Sequence, residues 1–280
     1  MSLQNRQSCF SKYVVSRAVR LGIGATLIAV GVLLWVGQLV RRAESGPVAF
    51  AQHVERIEIR VGSGSVHVTG TEGETVSGSR TIRFSWMRPS AREWIDGATL
   101  HIEAGCRSLG PLCGVDYRLA VPRGVALDVR TGSGSVGVNA IDGGVGVRAG
   151  SGRVDVTGGK GALAVSTGSG AIRFESVEGM LSAHTGSGSV RGAALRCPSL
   201  DVTTGSGRID LGLLDVANHV TARTGSGGVA LALPGGPYRV LTRTSSGEAD
   251  VTVPTDPSAA RVIDVSTGSG SITIAATQSR

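Results

Sequence analysis

Only a few stretches of this chain have residues spaced for chemistry, and each can be held against what its reaction needs. G-S-G-S-V-G at Gly132–Gly137 has the glycine spacing of a dinucleotide-binding turn. That turn must open a helix whose N-terminus meets the pyrophosphate, yet Val136 and Val138 start an alternating, strand-like run. The Gly159-Lys160 pair lacks the upstream glycine and the hydroxyl residue of a phosphate-binding loop. His53, His67, His101, His184 and His219 are scattered, with neither triad nor metal spacing. Asp155 and Asp210 share one phase of an internal repeat but fall three repeats apart, roughly 14 Å at strand spacing. A glycosidase holds its two carboxyl groups within about 5–9.5 Å. The sequence therefore predicts no enzyme, no catalytic residue, no metal site and no cofactor.

Two other groupings remain. Cys106 and Cys113 flank R-S-L-G-P-L, whose Gly110-Pro111 is a turn signal. Their spacing is not that of a zinc site and no histidine is close, so a disulfide is expected. At one outward phase of the repeat Arg130 stacks on Arg148, and Arg223 on Arg243. With Trp86 and Trp94, these arginines are the candidate binding surface. Neutralisation by Asp128 and Asp264, or plain solvation, is the structural alternative.

The element that must position all of this is a repeated phrase. V-G-S-G-S-V begins at Val61, T-G-S-G at Thr131, A-G-S-G at Ala149, and T-G-S-G again at Thr167, Thr185, Thr204, Thr224 and Thr267. A worn T-S-S-G stands at Thr244, and from Thr131 the steps are 18, 18, 18, 19, 20, 20 and 23 residues. A period near twenty is one small unit stacked on copies of itself. Counting from the threonine as zero, positions −4 and −2 are apolar, as in Leu127 and Val129, and so are +5 and +7, as in Val136 and Val138. Each set alternates as a strand with one buried face, but the two differ in parity. The chain must shift by one residue between them, and Gly-Ser-Gly sits there as a corner.

The expected fold class is all-β: one parallel, flattened or right-handed β-solenoid of about eight to nine coils. The hexapeptide left-handed form is excluded, since Leu127, Ser133 and Asn139 do not repeat an apolar residue every six positions. The threonines and corner serines become ladders. Asp155 beside Arg173 and Arg191 beside Asp210 are expected as cross-strand ion pairs.

The charge explains the rest of the organisation. The chain has 280 residues and a net charge of +7, of which residues 1–42 supply six cations and no acid. The remainder carries 22 basic and 21 acidic residues, which excludes a nucleic-acid surface. Leu21–Val40 is uncharged and, as a helix, spans the roughly 30 Å hydrocarbon core. Four cations precede it and two follow, placing the N-terminus in the cytoplasm. Cleavage near Ala51, with secretion, is the alternative. The domains expected are a basic tail (1–20), a single-pass membrane helix (21–40), a linker (41–52) and a solenoid (53–276). Within the solenoid, 71–118 is an N-terminal cap packed by Trp86, Met87 and Trp94, and 127–276 are regular coils.

The repeated phrase, the run C-G-V-D-Y-R-L-A-V-P-R-G-V-A-L-D-V-R-T-G-S-G at Cys113–Gly134 and the stretch from Pro237 to Arg261 resemble the bacterial β-strand-repeat family of candidate adhesins. The resemblance covers about residues 53–276. It implies the fold and brings no catalytic or binding residue. The function expected is a non-enzymatic, membrane-anchored extracytoplasmic adhesin-like or cell-envelope scaffold protein, whose partner is an envelope protein or glycan. The alternatives are a sensor in an envelope-stress system and, more remotely, a carbohydrate-active β-helix.

Overall fold

The computed structural model describes Gly31 and residues 42–85, 87–106 and 113–277. The expected tail and, Gly31 apart, the expected membrane span lie outside the described residues. Among the described residues no helix is long and apolar enough to cross a membrane.

The strands follow in chain order. The first seven are β1 (Arg42–Phe50), β2 (Arg56–Ser63), β3 (Val66–Thr71), β4 (Val76–Phe84), β5 (Ser90–Asp96), β6 (Thr99–Gly105) and β7 (Cys113–Pro122). The regular array opens with β8 (Ala126–Ser133), β9 (Val136–Asn139), β10 (Val145–Ser151), β11 (Val154–Thr157), β12 (Leu163–Thr167), β13 (Ile172–Glu175), β14 (Leu181–Thr185) and β15 (Val190–Leu195). It closes with β16 (Ser199–Ser206), β17 (Ile209–Leu213), β18 (His219–Ser226), β19 (Val229–Leu233), β20 (Arg239–Ser246), β21 (Ala249–Val251), β22 (Val262–Ser269) and β23 (Ile272–Ala276).

Two sheets face each other. One has eleven strands in the order β20-β22-β18-β16-β14-β12-β10-β8-β2-β6-β5, the other twelve in the order β1-β4-β7-β3-β9-β11-β13-β15-β17-β19-β23-β21. We call them the first and second sheet. Each coil contributes one strand to each, joined by its Gly-Ser-Gly corner. Positions −4, −2 and 0 point inward from the first sheet and +5 and +7 from the second, as the parity change requires. Val129, Val147, Val154 and Ile172 are buried representatives of the resulting core, and each such side chain contributes on the order of 1.5–3 kcal/mol. Along the first sheet the corners pair in register, as in Thr204 with Thr224 and Ser206 with Ser226; in the second sheet β15 and β17 shift register between Gly192 and Leu195.

The glycines answer to stacking as well as turning. A Cβ on Gly134, at φ +141°, would overlap the Gly64 carbonyl oxygen of the next coil. The first glycine of the phrase is equally tight, since a Cβ on Gly168 would press on the Gly150 carbonyl oxygen at 2.6 Å. The threonine column also differs from a threonine-to-threonine ladder. Thr185, Thr204, Thr224 and Thr267 each donate their Oγ1 proton to the second corner glycine of the adjacent coil, Gly170, Gly188, Gly207 and Gly227, at 2.9–3.1 Å.

Three features depart from the sequence reading. The stack holds ten two-strand coils, extending about 45 Å at strand spacing, rather than eight to nine. The extra one comes from within 71–118, where β6 and β7 form a parallel coil against β2 and β3. The remaining strands of that stretch, β4 and β5, run antiparallel to β7 and β6 and lie outside them, with β1 antiparallel to β4 beyond. Trp94 and Met87 do not pack this end, being 40% and 61% exposed. Ile82 and Phe84 of β4 are buried there and Ile95 of β5 packs against the core, and a polar link crosses the end: Arg80 Nη1 meets Glu93 Oε1 at 2.6 Å, and Tyr117 Oη donates to the same oxygen at 2.8 Å.

The third departure is at the other end. The last coil in sequence, β22–β23, lies between β18–β19 and β20–β21. The worn Thr-Ser-Ser-Gly coil is therefore outermost. Ile263, Val265, Ile272 and Ile274 of the inserted coil are fully buried, while Val240, Thr242 and Val251 of the outer coil are only half-buried. The more apolar coil takes the place that is covered on both sides, because burial rewards it more there.

Candidate functional site

Side chains at position −1 point outward from the first sheet and form a row along the stack. Strand register sets the row as Arg92, Glu103, Arg60, Arg130, Arg148, Ser166 and His184 from the β5 end. Beside it at position −3 runs Trp94, His101, Glu58 and Asp128. Three of the arginines, Arg60, Arg92 and Arg130, wall a cleft of about 530 Å³ whose floor is Gly62, Gly105 and Gly132. Ser90 and Glu103 complete the walls.

The cleft carries three guanidinium groups against one carboxylate. Arg60 Nη1 lies 3.3 Å from Glu103 and its Nη2 3.3 Å from Glu58. Arg130 Nε meets Asp128 at 3.2 Å, and Arg148 reaches the same carboxylate at 3.6 Å. Arg92 makes no ion pair among the described residues. A guanidinium has five N–H donors, so even the paired arginines keep donors for an incoming anion. Trp94 is on the outer face of β5, two residues from Arg92 and so about 7 Å away. Its ring stacks on His101 with centroids 5.0 Å apart and planes within 14°. His101 Nδ1 is 3.6 Å from Glu58 Oε2.

The residues singled out in the sequence separate accordingly. Arg130, Arg148 and Trp94 come onto one face at one end of the first sheet. Trp86 lies outside the described residues. Arg223 and Arg243 do not stack on each other, because β22 puts Ser266 between them; both turn toward Asp264, at 2.7 and 3.8 Å. Cys106 and Cys113 are joined by a disulfide that ties the end of β6 to the start of β7, with Cα atoms 6.0 Å apart. Arg60, Arg92 and Glu103 were not anticipated. Arg60 was within reach, since it precedes Val61 as Arg130 precedes Thr131. Arg92 and Glu103 stand on strands without the phrase.

A second cleft, of about 560 Å³, lies on the outer face of the second sheet, between Arg173, Arg191, Glu175 and Asp210 on one side and Leu214 and Thr277 on the other. The expected pairs Asp155–Arg173 and Arg191–Asp210 are register neighbours, yet neither closes to 4.0 Å. Arg173, Arg191 and Asp210 are exposed and Asp155 is half-buried. Here acids and bases balance, which leaves the first cleft as the cationic one.

The groups whose proton affinity moves furthest are in the interior. Burial pushes the Cys197 thiol up to about 11. Burial, then the Glu93 carboxylate, raises the Tyr117 phenol well above its ordinary range. Neither lines a cleft. Among the described residues no cluster of His, Cys, Asp and Glu could hold a metal ion. The cationic cleft offers charged donors over a glycine floor, with the Trp94 ring beside it.

Residues 119–275 match the family model described as Toastrack DUF4097. Among solved structures, a candidate adhesin from Parabacteroides merdae ATCC 43184 is similar with a TM-score of 0.56 and 13% identity, over 83% of this chain and 96% of that one. A candidate lipid-binding protein from Parabacteroides distasonis ATCC 8503 gives 0.52 and 15%, over 83% and 96%. At such identities the likeness is one of fold. No curated protein matches the chain. The family match covers more than half of the sequence, and this protein belongs to the Toastrack DUF4097 family.

Proposed function

We propose that this protein is a non-enzymatic, membrane-anchored extracytoplasmic β-solenoid that acts as an adhesin-like or cell-envelope scaffold, holding a partner on the outer face of its first sheet. The observation that carries this reading is the convergence of Arg60, Arg92 and Arg130 on one cleft beside an exposed Trp94. Large aromatics and unpaired charge on a rigid sheet face are what a recognition surface needs, because the sheet loses little entropy on binding. The uncharged run Leu21–Val40 and the flanking cations support the anchor and its orientation. β1 begins at Arg42, directly after that run, so in this arrangement the β5 end of the stack faces the membrane and the β20 end projects outward.

Full-length protein in detergent, immobilised and exposed to cell-wall glycans and solubilised envelope proteins, tests the reading. Retention of a partner by the native chain and its loss in Arg92→Gln is the expected result. Retention of nothing, or retention indifferent to Arg92, overturns it. Protease protection of residues 1–20 but not of the solenoid in sealed cells checks the orientation.

A further inference from the structure

The cleft also says something about what is bound, and this rests on the reading of that face as the recognition surface. We infer that the ligand is a linear polysaccharide bearing carboxylate or sulfate groups, lying along the stack with an acidic group among Arg60, Arg92 and Arg130 and a sugar ring on Trp94.

Three observations lead there. The first is charge. Arg92 has no ion pair among the described residues, and Arg60 and Arg130 each keep free guanidinium donors beside their acidic neighbours. Planar, forked donors match carboxylate and sulfate oxygens in pairs.

The second is repetition. Arg60, Arg130 and Arg148 occupy one register position on three consecutive coils, about 4.8 Å apart. That spacing is close to the length of one sugar in an extended chain. A single small anion would use one such arginine, whereas a polymer with recurring acids can use the row. The floor continues past Gly132 as the exposed Gly150, Gly168 and Gly186, so no side chain blocks a ligand running down the stack. These glycines are required by coil packing whatever binds, and the inference rests on the arginines and the tryptophan above them.

The third is the aromatic. Trp94 is 40% exposed and is braced flat against His101. A flat indole presented to water next to cations suits the C–H face of a pyranose, apolar on its plane and polar at its rim. A protein strand is a poorer fit, since it could join the first sheet only at its edges, β5 or β20, and would then run across the arginine row rather than along it.

Full-length protein in detergent micelles is titrated at low and physiological salt with polygalacturonate, dextran sulfate, neutral dextran, inorganic polyphosphate and phosphatidylglycerol vesicles. Binding of one or both acidic polysaccharides and not of neutral dextran is expected, and the preferred one tells uronate from sulfate. Arg92→Gln, which has no ion pair to lose, lowers that affinity about tenfold, the worth of one charged hydrogen-bond partner. Trp94→Ala lowers it about fivefold while leaving polyphosphate binding unchanged. Polyphosphate binding as tight as the polysaccharides, with Trp94→Ala affecting neither, reduces the site to a charge patch and overturns the sugar assignment. Tightest binding to the vesicles overturns it in favour of a lipid surface. If no acidic polysaccharide binds while the immobilised chain still retains an envelope partner through Arg92, the glycan inference fails alone and the recognition face stands.

Discussion

Thr204 and Thr167 occupy the same place in their coils and both are buried, yet they differ by one hydrogen bond. Thr204 donates to the Gly188 carbonyl at 2.9 Å, while Thr167 Oγ1, like Thr131 Oγ1, has no partner among the described residues. Valine keeps the shape and removes the hydroxyl. Thr204→Val is expected to cost about 1 kcal/mol, the net worth of a neutral hydrogen bond, and Thr167→Val to be neutral or stabilising, since it removes a buried unsatisfied group. Urea denaturation of the two variants checks this, and equal effects would mean that the hydroxyls are not what the column is for. The threonine column itself was legible, because a strict period places like residues in one line. Its acceptors were not: only the turn geometry decides that each hydroxyl meets a neighbouring glycine carbonyl rather than another threonine.

At the level of elements, the β4–β5 end carries a polar link between the two sheets beside its apolar contacts. Glu93 reaches inward from the first sheet to Arg80 and Tyr117 of the second. Glu93→Ala leaves a largely buried guanidinium and phenol without their acceptor, at about 2–3 kcal/mol. Hydrogen exchange should quicken in β4 and β5 before anywhere else in the array; a uniform change would mean that the end is held by packing alone. The same link predicts a pH response. Burial first, then Glu93, raises the Tyr117 phenol above its ordinary 10.0. The folded state holds that proton more tightly than the unfolded chain, so the contribution is complete below about pH 10 and declines as pH rises beyond it. Tyr117→Phe should flatten that alkaline decline in urea midpoints. None of this was visible in the sequence, where Glu93 and Arg80 stand in a stretch without period, and alternation there assigns a strand but not its partner. The cationic row was half visible for the same reason: Arg130 and Arg148 share a phase, whereas Arg92 and Glu103 have none.

Across the whole molecule, what escaped the sequence is the order of coils. Every unit presents the same parity and the same Thr-Gly-Ser-Gly edge, so each can stack on any other, and apolar content rather than chain order decides which is covered. This gives a test. Arg223 and Arg243 are two strands apart in the complete chain, about 9.6 Å, beyond the reach of a disulfide. In a chain ending at Arg261 the coil of β20 and β21 is expected to move one layer inward, bringing these positions side by side. Arg223→Cys with Arg243→Cys should then cross-link in the shortened chain and not in the full one. Absence of the cross-link in the shortened chain would mean that the outer coil cannot dock without β22 and β23.

That insertion has a consequence in time. A polypeptide emerges from its N-terminus, so residues 239–251 exist before residues 262–276 and find the growing end of the stack vacant. If β20 and β21 dock on β18 and β19 as they emerge, β22 and β23 must displace them rather than add beyond them.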